Sequence, residues 1–320
     1  MNIYQLFNKY KFVLLLILVT LFAYSCKQSP TSSKKAATPI QHHKISFKPV
    51  HGIAFTEVRR QYENGLGFNN YGYHLEPEWQ VTFLSDDSVR IYSLVLKRFI
   101  REWVAVDHDS VATVAHSWLR VLKLSPDSML FKVLYVKNQT VDNDSKGQIY
   151  MTLYSNNYIK NVLHTTAAQL QKPPCRDSLF IKQKVKAATE NYNNAFAAYE
   201  PATLTSKVPQ VKITKKEVTR SNDLEDVTVA DNYLSPTFDV TIHKAYNNFD
   251  YNMQIIVDEK GTLHFVKSLN LMYDEVENRL KVMKGIVDGY LTYYIKTIPG
   301  KTLGMAHASR ILVHVKGIQD

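Results

Sequence analysis

The side chains that could hold a metal ion or transfer protons are few, and they are scattered along the chain. Asp107, His108 and Asp109 are consecutive, and His116 follows them closely. Imidazole and carboxylate groups bind zinc, but a zinc site needs three or four ligands that converge. The sequence offers no further partner for this segment, so we interpret it as a polar turn and predict no metal site and no cofactor.

A second candidate for chemistry is the pair Glu76 and Glu78, which would share one face of an extended segment. Two carboxylates in one cleft can act as general acid and general base. Pro77 lies between them and favours a turn, so solvated carboxylates are the simpler interpretation. The sequence contains no nucleophile elbow, zinc-protease helix, phosphate-binding loop or Cys-x-x-Cys pair. We therefore assign no catalytic residue and favour a protein that is not an enzyme.

A glycine-, asparagine- and aromatic-rich segment runs from Tyr62 to Tyr73. Its glycines permit backbone conformations with positive φ, and its rings offer flat faces for stacking. One interpretation is a binding loop, with sugar rings as the candidate ligand. The other is a loop whose aromatic side chains pack over the end of a sheet. The candidate binding residues are four aromatics of this segment, namely Tyr62, Phe68, Tyr71 and Tyr73.

The N-terminal segment has the features of an export signal. Lys9 and Lys11 precede an apolar run from Phe12 to Ala23, and the sequence becomes polar after Cys26. A helix that spans a membrane needs about 20 apolar residues, and this run is shorter. A positive segment, a short apolar core and small residues before a cleavage site are typical of a secretory signal peptide. We therefore predict a signal peptide over residues 1–25.

The residues Ala23-Tyr24-Ser25-Cys26 resemble the lipobox of bacterial lipoproteins. This resemblance implies cleavage before Cys26 and attachment of acyl chains such as palmitate to that cysteine, which would anchor the mature chain to a membrane. In that family an aspartate after the cysteine retains the protein at the inner membrane, and Lys27 stands there instead. The resemblance therefore implies an outer-membrane lipoprotein. The lack of acidic residues between Cys26 and Glu57 favours one that faces the periplasm. An ordinary cleaved signal peptide and an uncleaved anchor are the alternatives.

Composition disfavours some partners and suggests others. The chain carries a formal charge of +10, of which Lys9 and Lys11 account for two, so residues 26–320 carry +8. No nucleic-acid-binding motif accompanies this charge, and an exported protein rarely meets nucleic acid, so we predict no such partner. An anionic envelope polymer, an anionic lipid or another envelope protein fits a basic chain better. Cys175 is the one cysteine left once Cys26 is acylated, so no internal disulfide is predicted.

The rest of the chain divides into a tether and three folded parts. Residues 26–46 are rich in Ser, Thr, Pro and Lys and have no hydrophobic period, which is typical of a disordered tether. Residues 47–171 are predicted as a strand-rich domain, because runs such as Trp79–Leu84 end in Ser-x-Asp-Ser turns. Residues 172–205 are predicted as a connecting helix, with apolar positions at helical spacing from Ser178 to Ala198.

Residues 206–320 are predicted as an α+β domain whose clearest unit is a helix between two pairs of strands. These elements are predicted at Tyr251–Val257, Thr262–Val266, Asp274–Val287 (the helix), Tyr290–Lys296 and Ile311–Val315. This order, with Val-Asp-Glu-Lys-Gly in the first turn and Pro-Gly-Lys before the last strand, resembles the C-terminal domain of TonB-type energy transducers. The resemblance implies a ββαββ unit over Tyr251 to Val315. Upstream of it, Val227–Tyr233 is predicted to be extended.

The predicted fold class is α+β, with an antiparallel strand-rich N-terminal half, a long connecting helix and a C-terminal ββαββ TonB-C-like unit. The predicted function is that of a lipid-anchored cell-envelope protein that acts by binding or as a structural partner. Two alternatives stay open. An envelope hydrolase acting on glycan or peptide would place converging carboxylates, or His108 with His116, in a deep pocket. A lipocalin-like carrier would show a closed barrel with an apolar lumen.

Overall fold

Eight strands of the N-terminal half form a closed antiparallel barrel. The computed structural model describes residues 44–137, 140–142, 148–218, 230–269 and 276–319, and these belong to one compact unit that starts at Lys44. The first ten strands are Ala54–Tyr62 (β1), Gln80–Ser85 (β2), Ser88–Ser93 (β3), Arg98–Val106 (β4), Val111–Val114 (β5), Ser117–Leu124 (β6), Ser128–Val133 (β7), Tyr135–Lys137 (β8), Thr140–Asp142 (β9) and Ile149–Ser155 (β10). Strands β1 to β7 follow one another around the barrel, and β10 closes it between β7 and β1. Strands β8 and β9 form a separate hairpin.

Apolar side chains from alternate strand positions fill the interior of the barrel, because successive residues of a strand point to opposite faces. Phe47 precedes a short 3₁₀-helix at Lys48–Val50 and stacks on Phe83 of β2, with ring centroids 4.1 Å apart. The buried cluster comprises Phe47, Val50, Phe55, Val81, Phe83, Val89, Ile91, Val104, Ala112, Val114, Leu119, Val121, Met129, Phe131, Met151 and Leu153. The barrel therefore encloses a packed core.

The prediction of a strand-rich N-terminal half is confirmed. Both Ser-x-Asp-Ser turns join paired strands, β2 with β3 and β6 with β7. Strands β1, β4, β5 and β9 have no counterpart among the predicted elements. The predicted signal peptide, Cys26 and the tether as far as His43 lie outside the described residues.

The segment after the barrel carries one long helix that joins the two halves of the protein. Its elements are a π-helical turn at Tyr158–Val162, a short helix at Ala167–Leu170 (α1), the main helix at Cys175–Glu190 (α2) and a 3₁₀-turn at Tyr192–Asn194. Ile181 and Ala188 of α2 are buried against Phe68, which follows β1, and Ile256, which lies in the C-terminal sheet. The helix thus packs between the two halves, as its apolar spacing predicts.

The predicted span of this helix, from Ser178 to Ala198, is wrong at both ends. Helix α2 begins at Cys175, directly after Pro174, and ends at Glu190. Beyond it the backbone makes tertiary hydrogen bonds, since the amide of Ala197 donates to the carbonyl of Tyr71 over 2.9 Å. Backbone groups committed to distant partners cannot also make helical hydrogen bonds.

The C-terminal half is a five-stranded sheet with a helical stretch on one face. Its elements are Thr203–Ser206 (β11), Val211–Lys216 (β12), Asp231–Leu234 (α3), Thr237–His243 (β13), Phe249–Val257 (β14), Leu263–Ser268 (β15), Val276–Gly285 (α4), a π-helix at Ile286–Leu291, Thr292–Tyr294 (α5), Ile295–Ile298 (β16), Lys301–Thr302 (β17), Met305–Ala306 (β18) and Ser309–Ile318 (β19). The strand order is β12-β13-β19-β14-β15; within this sheet β13 and β19 pair in parallel, and the other three pairs are antiparallel. Met283, Ile286 and Val287 of the helical stretch are buried against this sheet. None of the helices described is long and apolar enough to cross a membrane.

The prediction of an α+β, largely antiparallel fold is confirmed, but two local predictions in this half are wrong. Tyr290–Lys296 is a strand at Ile295 and Lys296 alone, because the helical stretch continues to Tyr294. The strand that follows, β16, pairs with β11 outside the five-stranded sheet. Val227–Tyr233 is not extended at its end, since Asp231–Leu234 forms a helical turn that buries Tyr233.

Candidate functional site

A cleft of about 930 Å³ opens where the barrel meets the C-terminal half. One wall comes from the barrel, through the end of β1, the segment before β2 and the turn between β3 and β4. The other comes from the segment after α2, the end of β12 and the residues around α3. The lining residues are Arg60, Tyr73, His74, Glu76, Glu78, Leu94, Val95, Lys97, Tyr199, Pro201, Lys215, Glu217, Val218, Ala230, Asn232 and Tyr233.

A buried carboxylate fixes the barrel wall of the cleft. Glu57 is 0% exposed and sits at an irregularity in β1. Its two carboxylate oxygens accept hydrogen bonds from Nε and Nη2 of Arg60 at 2.8 and 2.7 Å. The same carboxylate accepts from the backbone amides of Glu78 and Trp79 at 2.9 and 3.0 Å. A buried charge is tolerated only when it is paired and hydrogen-bonded, so this network holds Arg60 and the Glu78 segment in place.

A second buried carboxylate holds the segment Tyr62–Tyr73, which we call the aromatic segment. Asp177, in the first turn of α2, is 0% exposed. One of its oxygens accepts from Nη1 of Arg59 at 2.8 Å, and the other accepts from the amide of Gly67 at 3.0 Å. We call Glu57, Arg59, Arg60, Gly67 and Asp177 the carboxylate clamp. It ties β1, the aromatic segment and α2 together beside the cleft.

The aromatic segment is also pressed against the chain that follows α2. Gly72 has a φ of +92°, a conformation that residues with a Cβ rarely adopt. A Cβ at this position would collide with the backbone oxygen of Ala197. The segment is therefore a packed structural loop along part of its length.

The four predicted binding residues have different environments. Phe68 is buried and stacks on His74, with ring centroids 4.2 Å apart. Tyr62 is half-buried, and burial raises the pKa of its phenol to about 12. Tyr71 is 78% exposed and does not line the cleft, whereas Tyr73 does. The structure thus brings one of the four aromatics into the cleft.

Two tyrosines of the cleft come from parts of the chain that sequence analysis did not single out for binding. Tyr199 follows α2, and Tyr233 lies in α3; their rings are 5.3 Å apart. The Tyr233 hydroxyl accepts a hydrogen bond from the backbone amide of His74 at 3.0 Å. Burial, together with a hydrogen bond to Glu76, raises the pKa of Tyr199 to about 12. Burial also raises the pKa of Tyr233, so both phenols keep their protons at neutral pH.

Among the residues that the structure describes, charges of both signs line the cleft in equal number. The cations are Arg60, Lys97 and Lys215, and the carboxylates are Glu76, Glu78 and Glu217. Arg60 forms a salt bridge with Glu57, and its Nη1 also lies 3.8 Å from Oε2 of Glu78. Burial lowers the pKa of His74, so its ring is neutral at pH 7. The balance disfavours a strongly charged ligand and suits a polar, neutral one.

The remaining candidate residues lie away from the cleft, except for the carboxylate pair. His108 contacts Asp107 at 2.7 Å, while His116 contacts Glu102 at 3.3 Å. Within the described ranges, no three His, Cys, Asp or Glu side chains are placed to hold a metal ion. Cys175 is exposed at the start of α2. Glu76 and Glu78 both line the cleft, although sequence analysis favours solvated carboxylates.

Comparisons with known proteins identify no family for this chain. No protein-family model matches the chain, and no curated protein matches it either. The class defined by the fold is an α+β protein in which a closed antiparallel barrel meets a five-stranded sheet. The chemistry of the cleft is therefore the basis for a functional proposal.

Proposed function

We propose that this protein is a lipid-anchored cell-envelope protein whose tyrosine-lined cleft binds a neutral, ring-bearing glycan. The observation that carries the proposal is the convergence of Tyr73, Tyr199 and Tyr233 on one cleft of about 930 Å³. Aromatic rings offer flat apolar faces, and phenol hydroxyls add polar contacts beside them. Ligand sites commonly measure roughly 300–1,000 Å³ and combine aromatic walls with a few placed polar groups.

The polar groups of the cleft fit this ligand class. Glu76, Glu78 and Glu217 can accept hydrogen bonds from sugar hydroxyls, and Lys215 and Asn232 can donate to them. The described lining residues include equal numbers of cations and carboxylates, which gives a polyanion no preference for this part of the cleft. The clamp keeps one wall rigid, and a pre-organised wall lowers the entropy lost on binding.

The anchoring part of the proposal rests on the N-terminal sequence. Residues 1–25 serve as a signal peptide, and Cys26 carries acyl chains that hold the chain to the outer membrane on its periplasmic side. Replacing Cys26 by Ala should release the protein from the membrane fraction. If the variant still sediments with membranes after cell lysis, the lipoprotein proposal is wrong.

We further propose that Tyr251–Val315 is a TonB-C-like unit in fold. Support comes from β14 and β15, which form a hairpin, from the helical stretch that follows them and from β19, which pairs with β14. The additional strands β12 and β13 and the position of β16 outside the sheet depart from a simple ββαββ order. Binding rather than energy transduction is therefore the role we assign to this half.

A binding assay with defined glycans tests the cleft. The probes are tetrasaccharides of N-acetylglucosamine and of glucose, titrated calorimetrically into the full chain. We expect Tyr199→Ala to weaken binding at least about ten-fold, because it removes both a ring face and a hydroxyl (about 1.4 kcal/mol). Tyr246→Ala is the control, since Tyr246 is 60% exposed and does not line the cleft. Absence of binding to both probes, or equal losses in the two variants, would contradict the proposal.

A second candidate function is favoured by one observation. Glu76, Glu78 and Glu217 line the same cleft, and paired carboxylates can cleave glycosidic bonds. An envelope hydrolase would release shorter sugars from the same tetrasaccharides, and Glu76→Gln would abolish release while binding persists. The lipocalin-like alternative has the closed barrel that it requires, but the packed core inside favours the cleft as the ligand site.

A further inference from the structure

The turn between β3 and β4 exposes three consecutive apolar side chains. Leu94, Val95 and Leu96 are 49%, 36% and 52% exposed. Exposed apolar side chains that cluster mark contact with a partner or a membrane more often than scattered ones do. The turn is the tip of a hairpin, and three residues are too few to fill a protein interface by themselves.

Four cations lie on the hairpin that carries this apolar tip. Residues 88–101 contain Arg90, Lys97, Arg98 and Arg101 and no acidic residue. Lys97 and Arg98 directly follow the apolar residues, and both are exposed. Arg90 and Arg101 are exposed on neighbouring positions of β3 and β4. The hairpin therefore carries four positive charges, and two of them adjoin its apolar tip.

The outer face of the same hairpin is aromatic. Tyr92 and Phe99 are paired across the two strands, with ring centroids 5.3 Å apart. The guanidinium of Arg90 lies over the Phe99 ring at 5.3 Å. Trp103 extends the row along β4 and is 46% exposed. Tyrosine and tryptophan side chains are favoured at the boundary between water and lipid, where their rings meet both environments.

We propose that the β3–β4 hairpin docks on an anionic lipid surface. Leu94, Val95 and Leu96 insert among the acyl chains, while Lys97 and Arg98 contact the phosphates of the head groups. Charge complementarity selects this partner, since Lys97 and Arg98 adjoin the apolar tip and a neutral surface would leave them unmatched. Long basic side chains can keep their charged ends in water while their stems lie along apolar groups.

Docking would also fix how the cleft faces the membrane. Leu94, Val95 and Lys97 line the cleft as well as forming the tip. A docked hairpin therefore places one rim of the cleft at the lipid surface. This inference does not rest on the proposed glycan ligand, because the hairpin would dock whether or not the cleft is filled.

Fluorescence quenching by brominated lipids tests the docking. The anchored full chain is reconstituted in vesicles of brominated phosphatidylcholine, with or without phosphatidylglycerol. Leu96→Trp adds a reporter at the tip, and Leu179→Trp adds one at a similarly exposed leucine of α2, 56% against 52%. We expect the added fluorescence at position 96 to be quenched several-fold more in the anionic vesicles, and that at position 179 to be unaffected.

A charge reversal tests whether the cations of the hairpin contribute to docking. In the Leu96→Trp background, Arg98→Glu should lower the ratio of docked to undocked protein at least about five-fold, because each cation near an anionic surface strengthens binding by roughly that factor. Lys182→Glu makes the same charge reversal on α2 and should leave the ratio of docked to undocked protein unchanged. Equal quenching at positions 96 and 179, equal quenching in the two kinds of vesicle, or equal effects of the two reversals would each overturn the proposal. Glycan titrations of Tyr199→Ala are independent of all three outcomes.

Discussion

The carboxylate clamp and the cleft adjoin at Arg60 and use charged side chains in opposite ways. In the clamp, Glu57 and Asp177 are 0% exposed, and arginines and backbone amides meet their oxygens. In the cleft, the side chain of Glu78 is 40% exposed and faces space that a ligand can occupy. The difference indicates that the buried charges position the site, whereas the exposed charges are available for binding.

Removing a clamp carboxylate should have the largest effect on stability. Asp177→Ala removes the carboxylate that accepts hydrogen bonds from Arg59 and from the amide of Gly67. Breaking one side of a buried pair costs about 3–5 kcal/mol. Denaturant unfolding followed by tryptophan fluorescence measures this loss. The control on the same helix is Glu190→Ala, whose exposed pair with Lys186 spans 3.8 Å and should cost at most about 0.5 kcal/mol. Similar losses in the two variants would remove the distinction between buried and exposed charges.

The pH dependence of stability tests another buried polar group behind the cleft. His307 is 0% exposed, and its ring contacts Thr302, whose hydroxyl in turn accepts from the amide of Tyr199. Burial lowers the pKa of His307 to about 4. The unfolded chain then binds more protons between about pH 6.5 and 4, so the stability present above pH 6.5 is lost as the pH falls.

The expected loss from this histidine is roughly 2–4 kcal/mol between about pH 6.5 and 4. His307→Gln does not titrate, so the free energy of unfolding of the variant should fall less over the same interval. The difference between the two proteins isolates His307 from the carboxylates that also titrate in acid. Parallel pH profiles would show that His307 is not held neutral by burial.

Alanine substitutions at two glycines distinguish the energetic cost of a positive φ from the cost of close packing. Gly72 and Gly304 both have positive φ, at +92° and +76°. A Cβ at Gly304 meets nothing within 4 Å, whereas one at Gly72 collides with Ala197. Gly72→Ala should therefore cost about 1–3 kcal/mol more than Gly304→Ala, because overpacking adds to the strain of positive φ. Equal thermal shifts for the two variants would show that the aromatic segment does not press on the chain after α2.

The exposed tip should matter least for folding. Leu96→Ser removes an apolar side chain that is 52% exposed, so the free energy of unfolding should change by no more than about 0.5 kcal/mol. A larger loss in denaturant unfolding would mean that the tip packs against the protein and does not serve as a docking surface.

Sequence patterns predicted the elements whose signals are local. The β2–β3 and β6–β7 hairpins follow from apolar runs that flank turn residues, and both are paired. The sequence does not predict strand β1, because Glu57, Arg59 and Arg60 interrupt its apolar pattern. The partner of Arg59 is Asp177, 118 residues away, so its place in a strand could not be read locally.

The cleft is formed by contacts between residues that are far apart in sequence, so the sequence could not predict it. Tyr73 belongs to the aromatic segment that sequence analysis selected, but Tyr199 and Tyr233 reach the cleft only because α2 ends at Glu190 and α3 forms a helical turn. Helical spacing continues through Phe196 and Tyr199, so periodicity extends the helix too far. The hydrogen bond from Ala197 to Tyr71, which accompanies the end of the helix, joins residues far apart in sequence.

The most direct test of the central claim compares two tyrosines of the same segment. Tyr73 lines the cleft, and Tyr71 is 78% exposed outside it. Calorimetric titration with the N-acetylglucosamine tetrasaccharide should show at least about ten-fold weaker binding for Tyr73→Ala and an unchanged affinity for Tyr71→Ala. Equal weakening in both variants, or weakening in Tyr71→Ala alone, would place the ligand on the exposed loop and contradict a binding site in the cleft.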